Sequence, residues 1–153
     1  MNAQTTRLDQ FLPYMLAVTA DAVSDRIAEK YRDRFGIRIP EWRVLAVLGE
    51  AGAKTQRDLV RSTHLDKVAV NRACKALEDR GLAARRANTR DGRSHHVDLT
   101  PEGRAVYERI IPLALEMDQE ILGILTQPER QVLYRLLDRV RNGALGSDED
   151  IAA

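Results

Sequence analysis

The stretch Asp66 to Leu82, DKVAVNRACKALEDRGL, decides how the rest of the chain is read. Asp66 is a good helix N-cap, and Val70, Ala73, Cys74 and Leu77 recur at i, i+3, i+4 and i+7, so one stripe of this helix faces a core. At roughly 100° per residue the opposite side carries Val68, Arg72, Lys75 and Asp79, with Asn71 at the flank. Its outer face is therefore basic and amide-bearing over the first two turns, and Gly81 ends it.

Upstream, Thr55 precedes Gln56, Arg57 and Asp58, a weak capping box with Asp in place of Glu, and opens a short helix holding Leu59 and Val60. Ser62, Thr63 and His64 stop it. Pro40 suits the first turn of an earlier, mostly buried helix with Trp42, Val44, Leu45, Val47 and Leu48, which Gly49 and Gly52 should end. Before that, Leu8, Phe11, Leu12, Met15, Leu16 and Val23 to Ile27 predict one long amphipathic helix over about 7–35, closed by Gly36, with Pro13 tolerated near its first turn.

Downstream, His95, Val97 and Leu99 alternate with His96 and Asp98, and Asp91-Gly92 supplies a turn. Leu82 to Asn88 is the partner strand of a two-stranded hairpin with Arg90 and Arg93 at its tip, although its alanines are poor strand formers. Thr100-Pro101-Glu102 opens a long helix with Val106, Tyr107, Ile110, Ile111, Leu113, Leu115 and Ile121, kinked at Pro112. A full capping box, Thr126 to Glu129, precedes Val132, Leu133, Leu136, Leu137 and Val140. Gly143 and Gly146 should end that helix, and the acidic tail at 148–153 is expected to be disordered.

At 153 residues and 44% hydrophobic, the chain suits one globular domain. The uncharged run Phe11 to Ala20, broken by Pro13, is about half of what a membrane span needs. No secretory signal opens the chain, so a cytoplasmic location is expected. The single cysteine, Cys74, excludes an internal disulfide framework. The net charge of +1 hides an asymmetry: Lys54 to His96 holds eleven basic residues against five acidic, and the remainder thirteen against eighteen. A basic middle between acidic arms points to an anionic partner.

Helix, helix, short helix, tight turn, basic amphipathic helix, hairpin is the order of a winged helix-turn-helix within a mainly α chain, in which the second of the paired helices enters a major groove. Pro40-Glu41-Trp42-Arg43-Val44-Leu45, Asp66 to Ala73, Leu77-Glu78-Asp79-Arg80-Gly81-Leu82, and Arg90-Asp91-Gly92-Arg93 followed by Leu99-Thr100-Pro101-Glu102-Gly103 resemble the MarR family of bacterial transcriptional regulators. The resemblance covers nearly the whole chain, residues 1–147, with the winged helix at about 40–99 and dimerisation helices at about 7–35 and 100–143. It implies a homodimer with interleaved terminal helices on a pseudo-palindromic operator in double-stranded DNA. It further implies a repressor released by a small aromatic or anionic effector or its coenzyme A thioester, and no cofactor. Asn71 stands where the family often has Thr or Ser, and Asn88 where an Asp often begins the wing.

The candidate DNA contacts are Lys67, Val68, Asn71, Arg72, Lys75, Arg90 and Arg93. Asn pairs bidentately with adenine and Arg with guanine, so Asn71 is read as a base contact and Arg72 as a base or phosphate contact. Lys67 and Lys75 suit phosphates, and Arg90 and Arg93 suit the minor groove or its phosphates. Arg85 and Arg86 read as strand-surface charges. Tyr14, Met15, Tyr31, Trp42, Arg43 and Tyr107 are candidates for an effector cleft, with Arg43 the partner of a carboxylate or phosphate, although a tryptophan such as Trp42 more often fills core. Cys74 is small apolar filler or, alternatively, a redox sensor. His95 and His96 are strand neighbours pointing to opposite faces, so His95, His96 and Asp98 are not read as a metal site. No Ser-His-Asp set, phosphate loop or paired carboxylates points to an enzyme. The alternative function is a winged-helix interaction or dimerisation module that contacts no DNA.

Overall fold

The computed structural model describes residues 7–87, 90 and 92–146; Asn88, Asp91 and the tail at 148–153 lie outside the described residues. The chain divides into two compact units, Met1–Met117 and Asp118–Ala153. The first opens with a 3-10 turn, Leu8–Gln10, and continues with α1 (Leu12–Phe35), α2 (Ile39–Ala51), β1 (Lys54–Thr55), α3 (Gln56–Thr63), α4 (Lys67–Asp79), β2 (Ala83–Ala87) and β3 (His95–Leu99). Next, α5 (Pro101–Leu122) begins in the first unit and ends in the second, which also holds α6 (Gln127–Leu145). This is a winged helix-turn-helix between terminal helices.

Several boundaries differ from expectation. The first helix starts at Leu12 rather than near residue 7, with Pro13 in its first turn and Phe11 extended before it. A continuous helix would drive the Pro13 ring into the carbonyl four residues earlier. Gly49 does not end α2, which runs to Ala51 and stops at Gly52 with φ 73°. The ring of Tyr107 explains the glycine, since a Cβ at position 49 would lie 2.6 Å from it. Likewise α6 passes Gly143 and stops before Gly146.

The expected two-stranded wing is a three-stranded antiparallel sheet in the order β1-β3-β2. Lys54 and Thr55 pair with Val97 and His96, while Ala83 to Ala87 pair with Leu99 back to His95. The alanine-rich strand holds because β3 supplies a full ladder, and Ala83 is buried beside Leu99. The core gathers Ala28 and Tyr31 from α1, Val44, Leu45 and Leu48 from α2, Leu59 from α3, the α4 stripe, Val97 and Leu99 from β3, and Ile110 from α5.

The ends of the chain are different. Phe11, Leu12, Tyr14, Met15, Leu16 and Val18 stay 39–51% exposed in the first unit. In the second, α6 buries nothing, and Val132, Tyr134, Leu136, Leu137 and Val140 are 40–55% exposed. No described helix is long and apolar enough to cross a membrane.

Candidate nucleic-acid interface

The geometry of α4 follows from its two faces. The Asp66 carboxylate accepts the Ala69 N–H at 2.7 Å and starts the helix, and Val70, Ala73, Cys74 and Leu77 are buried. That leaves Lys67, Val68, Asn71, Arg72 and Lys75 exposed on one surface. The side chains of Lys67, Asn71 and Arg72 have no hydrogen-bond or ion-pair partner among the described residues. Lys75 reaches Asp79 at 3.2 Å, an exposed i,i+4 pair of the kind worth only about 0.3–0.5 kcal/mol and readily exchanged for a phosphate.

The turn that aims this surface is hydrogen-bonded. The Thr63 hydroxyl donates to the Leu59 carbonyl at 2.6 Å and accepts the Leu65 N–H at 3.3 Å, while His64 takes the left-handed conformation at φ 54°. At the head of α3, Thr55 accepts the Asp58 N–H at 3.2 Å, and its hydroxyl donates to the Asp58 carboxylate at 2.7 Å. That hydroxyl holds the Asp58 carboxyl below its ordinary pKa.

Arg90 and Arg93 lie exposed on the connection between β2 and β3. Arg85, read from sequence as a strand-surface charge, is exposed on β2 and also binds Glu78 at 2.7 Å, tying the strand to the last turn of α4. It shares with Arg57 and Arg93 a hollow of about 440 Å³ between the start of α3 and the wing, also lined by Gln56, Ser94 and His95. Arg86 is exposed. Among the described residues no three His, Cys, Asp or Glu side chains gather around one point. Cys74 is buried, and burial pushes its thiol up to about 11, the reverse of what a redox sensor needs.

Three of the six effector candidates come together. Tyr31, Trp42 and Arg43 line a cleft of about 120 Å³ with Ser24, Ile27 and Ile39. Tyr31 and Trp42 have ring centroids 5.4 Å apart, and Tyr107 stacks on Trp42 at 6.3 Å without lining the cleft. Burial raises the Tyr31 phenol to about 12 against the opposing charges of Arg32 and Arg43. Tyr14 and Met15 are not part of this cleft: at about 1.5 Å per residue they lie roughly 25 Å up α1 from Tyr31.

Two structural roles had no signal in the sequence. Arg80 donates to the carbonyls of Phe35 and Gly36 at 2.6 and 2.9 Å and so caps α1 from the end of α4. Arg38, an unusual N-cap for α2, donates its backbone N–H and its guanidinium to the buried Glu41 at 3.0 and 2.9 Å.

A hydrogen-bonded turn, an exposed basic and amide-bearing helix and a flanking arginine wing define a DNA-binding protein of the winged-helix class. A model of the MarR family matches residues 35–94. The HTH-type transcriptional repressor Rv2887 of Mycobacterium tuberculosis is 32% identical over 74% of this chain and 78% of its own. The chain belongs to the MarR family of transcriptional regulators, not to an enzyme family. Two solved structures add to this. A mutant of Escherichia coli MarR complexed with operator DNA is 25% identical, with a TM-score of 0.77 over 84% of this chain and 92% of that one. Bordetella bronchiseptica BpsR, whose DNA binding is regulated by 6-hydroxynicotinic acid, is 26% identical, with a TM-score of 0.80 over 90% and 97%.

Proposed function

We propose that this regulator is a homodimeric repressor that reads an inverted-repeat operator through α4 and leaves it when a small aromatic acid occupies the Tyr31–Trp42–Arg43 cleft. The observation that carries the reading is the α4 surface, where Asn71 and Arg72 stand exposed and unpaired opposite a buried apolar stripe. Asn71 reads adenine, Arg72 reads a base or holds a phosphate, Lys67 and Lys75 hold phosphates, and Val68 gives apolar contact to a thymine methyl. Arg90 and Arg93 reach the flanking minor groove or its phosphates.

The exposed apolar residues of α1 and of α6 support dimerisation, because surface of that kind is costly to leave in water. The helices at about 7–35 and 100–143 serve as the dimerisation region. The cleft volume, about 120 Å³, suits one ring, so a coenzyme A thioester would leave most of its bulk outside. Arg43 pairs with the acid group and Trp42 stacks on the ring. Release requires the ligand to bind the DNA-incompetent state more tightly, by about 1.4 kcal/mol for each tenfold loss of operator affinity.

Selection of bound duplexes from a random-sequence library tests the reading. It should yield two inverted half-sites about one helical turn apart. Recovery of a single asymmetric half-site, or of no enriched sequence, would contradict it.

A further inference from the structure

A second hollow, of about 210 Å³, lies on the side of α4 that faces α2, between Arg38, Pro40 and Glu41 on one wall and Ala69, Arg72 and Ala73 on the other. We propose that Arg38 is a DNA-backbone ligand: together with Arg72 it grips a phosphate on the groove wall nearest α2. The proposal deepens the DNA-binding reading above and rests on it.

The argument starts from the width of the contact. An α-helix with its side chains is about 10–12 Å across and fills a major groove about 12 Å wide, so residues flanking the recognition helix on both sides meet phosphates. On the α3 side the flank is basic, with Arg57, Arg61 and Lys67 around one concavity. On the α2 side, Arg38 is the matching cation, and it shares its hollow with Arg72 of α4.

Arg38 is also preorganised. Its Nε and Nη2 bind Oε1 of Glu41 at 2.9 and 2.8 Å. The Glu41 side chain is only 5% exposed, whereas that of Arg38 is 72% exposed. One edge of the guanidinium is therefore fixed by a buried carboxylate, while Nη1 has no partner among the described residues. A planar guanidinium with one edge anchored and the rest in solvent is well formed for a phosphate oxygen. Side-chain entropy lost on binding is small, since Glu41 has already restricted the rotamers.

The rival role is purely structural, with Arg38 present only to neutralise Glu41. Removing one partner alone confuses the two, because it strands a buried charge. The double variant Arg38→Gln with Glu41→Gln avoids this: the net charge equals that of the wild type, and the new side-chain amide at position 41 can still accept the backbone N–H at position 38. The experiment is a salt titration of affinity for a random-sequence duplex and for the selected operator, comparing wild type, Arg38→Lys and the double variant in the full-length protein.

A backbone contact predicts that the double variant lowers the slope of log affinity against log salt by about 0.9 per subunit on both duplexes, while Arg38→Lys keeps it. An unchanged slope in the double variant overturns the proposal while leaving the DNA-binding reading intact. A flat wild-type response overturns both. Circular dichroism separates either result from loss of fold, and if the double variant does not fold, ethylation interference on the wild-type complex decides. The proposal then requires interference at a phosphate on the α2 side of the groove that holds α4; no interference on that side overturns it.

Discussion

A Cβ built on Gly103 would lie 1.8 Å from the carbonyl oxygen of Leu82, so the first turn of α5 and the lead into β2 touch backbone to backbone. Thr100 completes the joint. Its hydroxyl donates to the Gly81 carbonyl at 2.6 Å and accepts the Gly103 N–H at 3.0 Å, and its own N–H donates to the Leu82 carbonyl at 3.1 Å. The winged helix is thereby welded to the helix that follows it. Gly103→Ala should lower unfolding free energy by about 1–3 kcal/mol or more, because backbone cannot yield as a side chain tip can. Urea denaturation checks it, and a cost under about 0.5 kcal/mol would show that the joint is looser than drawn.

That joint also shows what the sequence discloses. Leu77-Glu78-Asp79-Arg80-Gly81-Leu82 and Leu99-Thr100-Pro101-Glu102-Gly103 are readable as separate motifs, and only the fold reveals them as two halves of one contact. The α4 stripe is legible because burial repeats at helical period. β1 is not, since two residues carry no period. Arg80 caps a helix end more than forty positions away, which no local pattern signals. Arg38 and Glu41 escape notice because a capping box is sought behind Ser, Thr, Asp or Asn. Side-chain type groups Tyr14 and Met15 with Tyr31, while helical rise carries them away from it.

Buried Cys74 and Tyr31 set the alkaline limit. Burial raises the thiol from 9.0 to about 11 and the phenol from 10.0 to about 12, so the folded state holds both protons more tightly than the unfolded chain. Their contribution is complete below about pH 9 and is lost as pH rises through the folded values. Urea midpoints should therefore fall between about pH 8 and about pH 11, and by less in Cys74→Ala. Iodoacetamide should modify Cys74 only after unfolding; fast labelling of the native protein would revive a redox role.

Trp42 is the chain's single tryptophan, so its fluorescence reports on the cleft alone. Monocyclic aromatic acids should quench it and weaken operator binding. Arg43→Gln should weaken the acid about tenfold or more, in line with about 1.5–3 kcal/mol for a charged hydrogen bond, and leave the matching amide nearly unaffected. Equal losses for acid and amide would remove Arg43 from the role.

Light scattering should show a dimer at micromolar concentration. Leu137, 42% exposed on α6, is a sensitive position. Leu137→Asp should shift the population toward monomer and reduce operator affinity together with it. A wild-type monomer that still binds the full operator would contradict the proposed assembly.

The α4 and wing residues differ in what they meet. Arg93→Ala should weaken operator and random duplex alike, because a phosphate or narrow-groove contact carries little base information. Asn71→Ala should cost roughly 1–3 kcal/mol per half-site on the operator and almost nothing on random DNA. Both positions are exposed, so melting temperatures should hardly move. The ratio of operator to random affinity in Asn71→Ala, read by fluorescence anisotropy at fixed salt, is the most direct test of α4 as the reading element. A fall of about tenfold or more in that ratio is the predicted result, and a ratio equal to that of the wild type would contradict it.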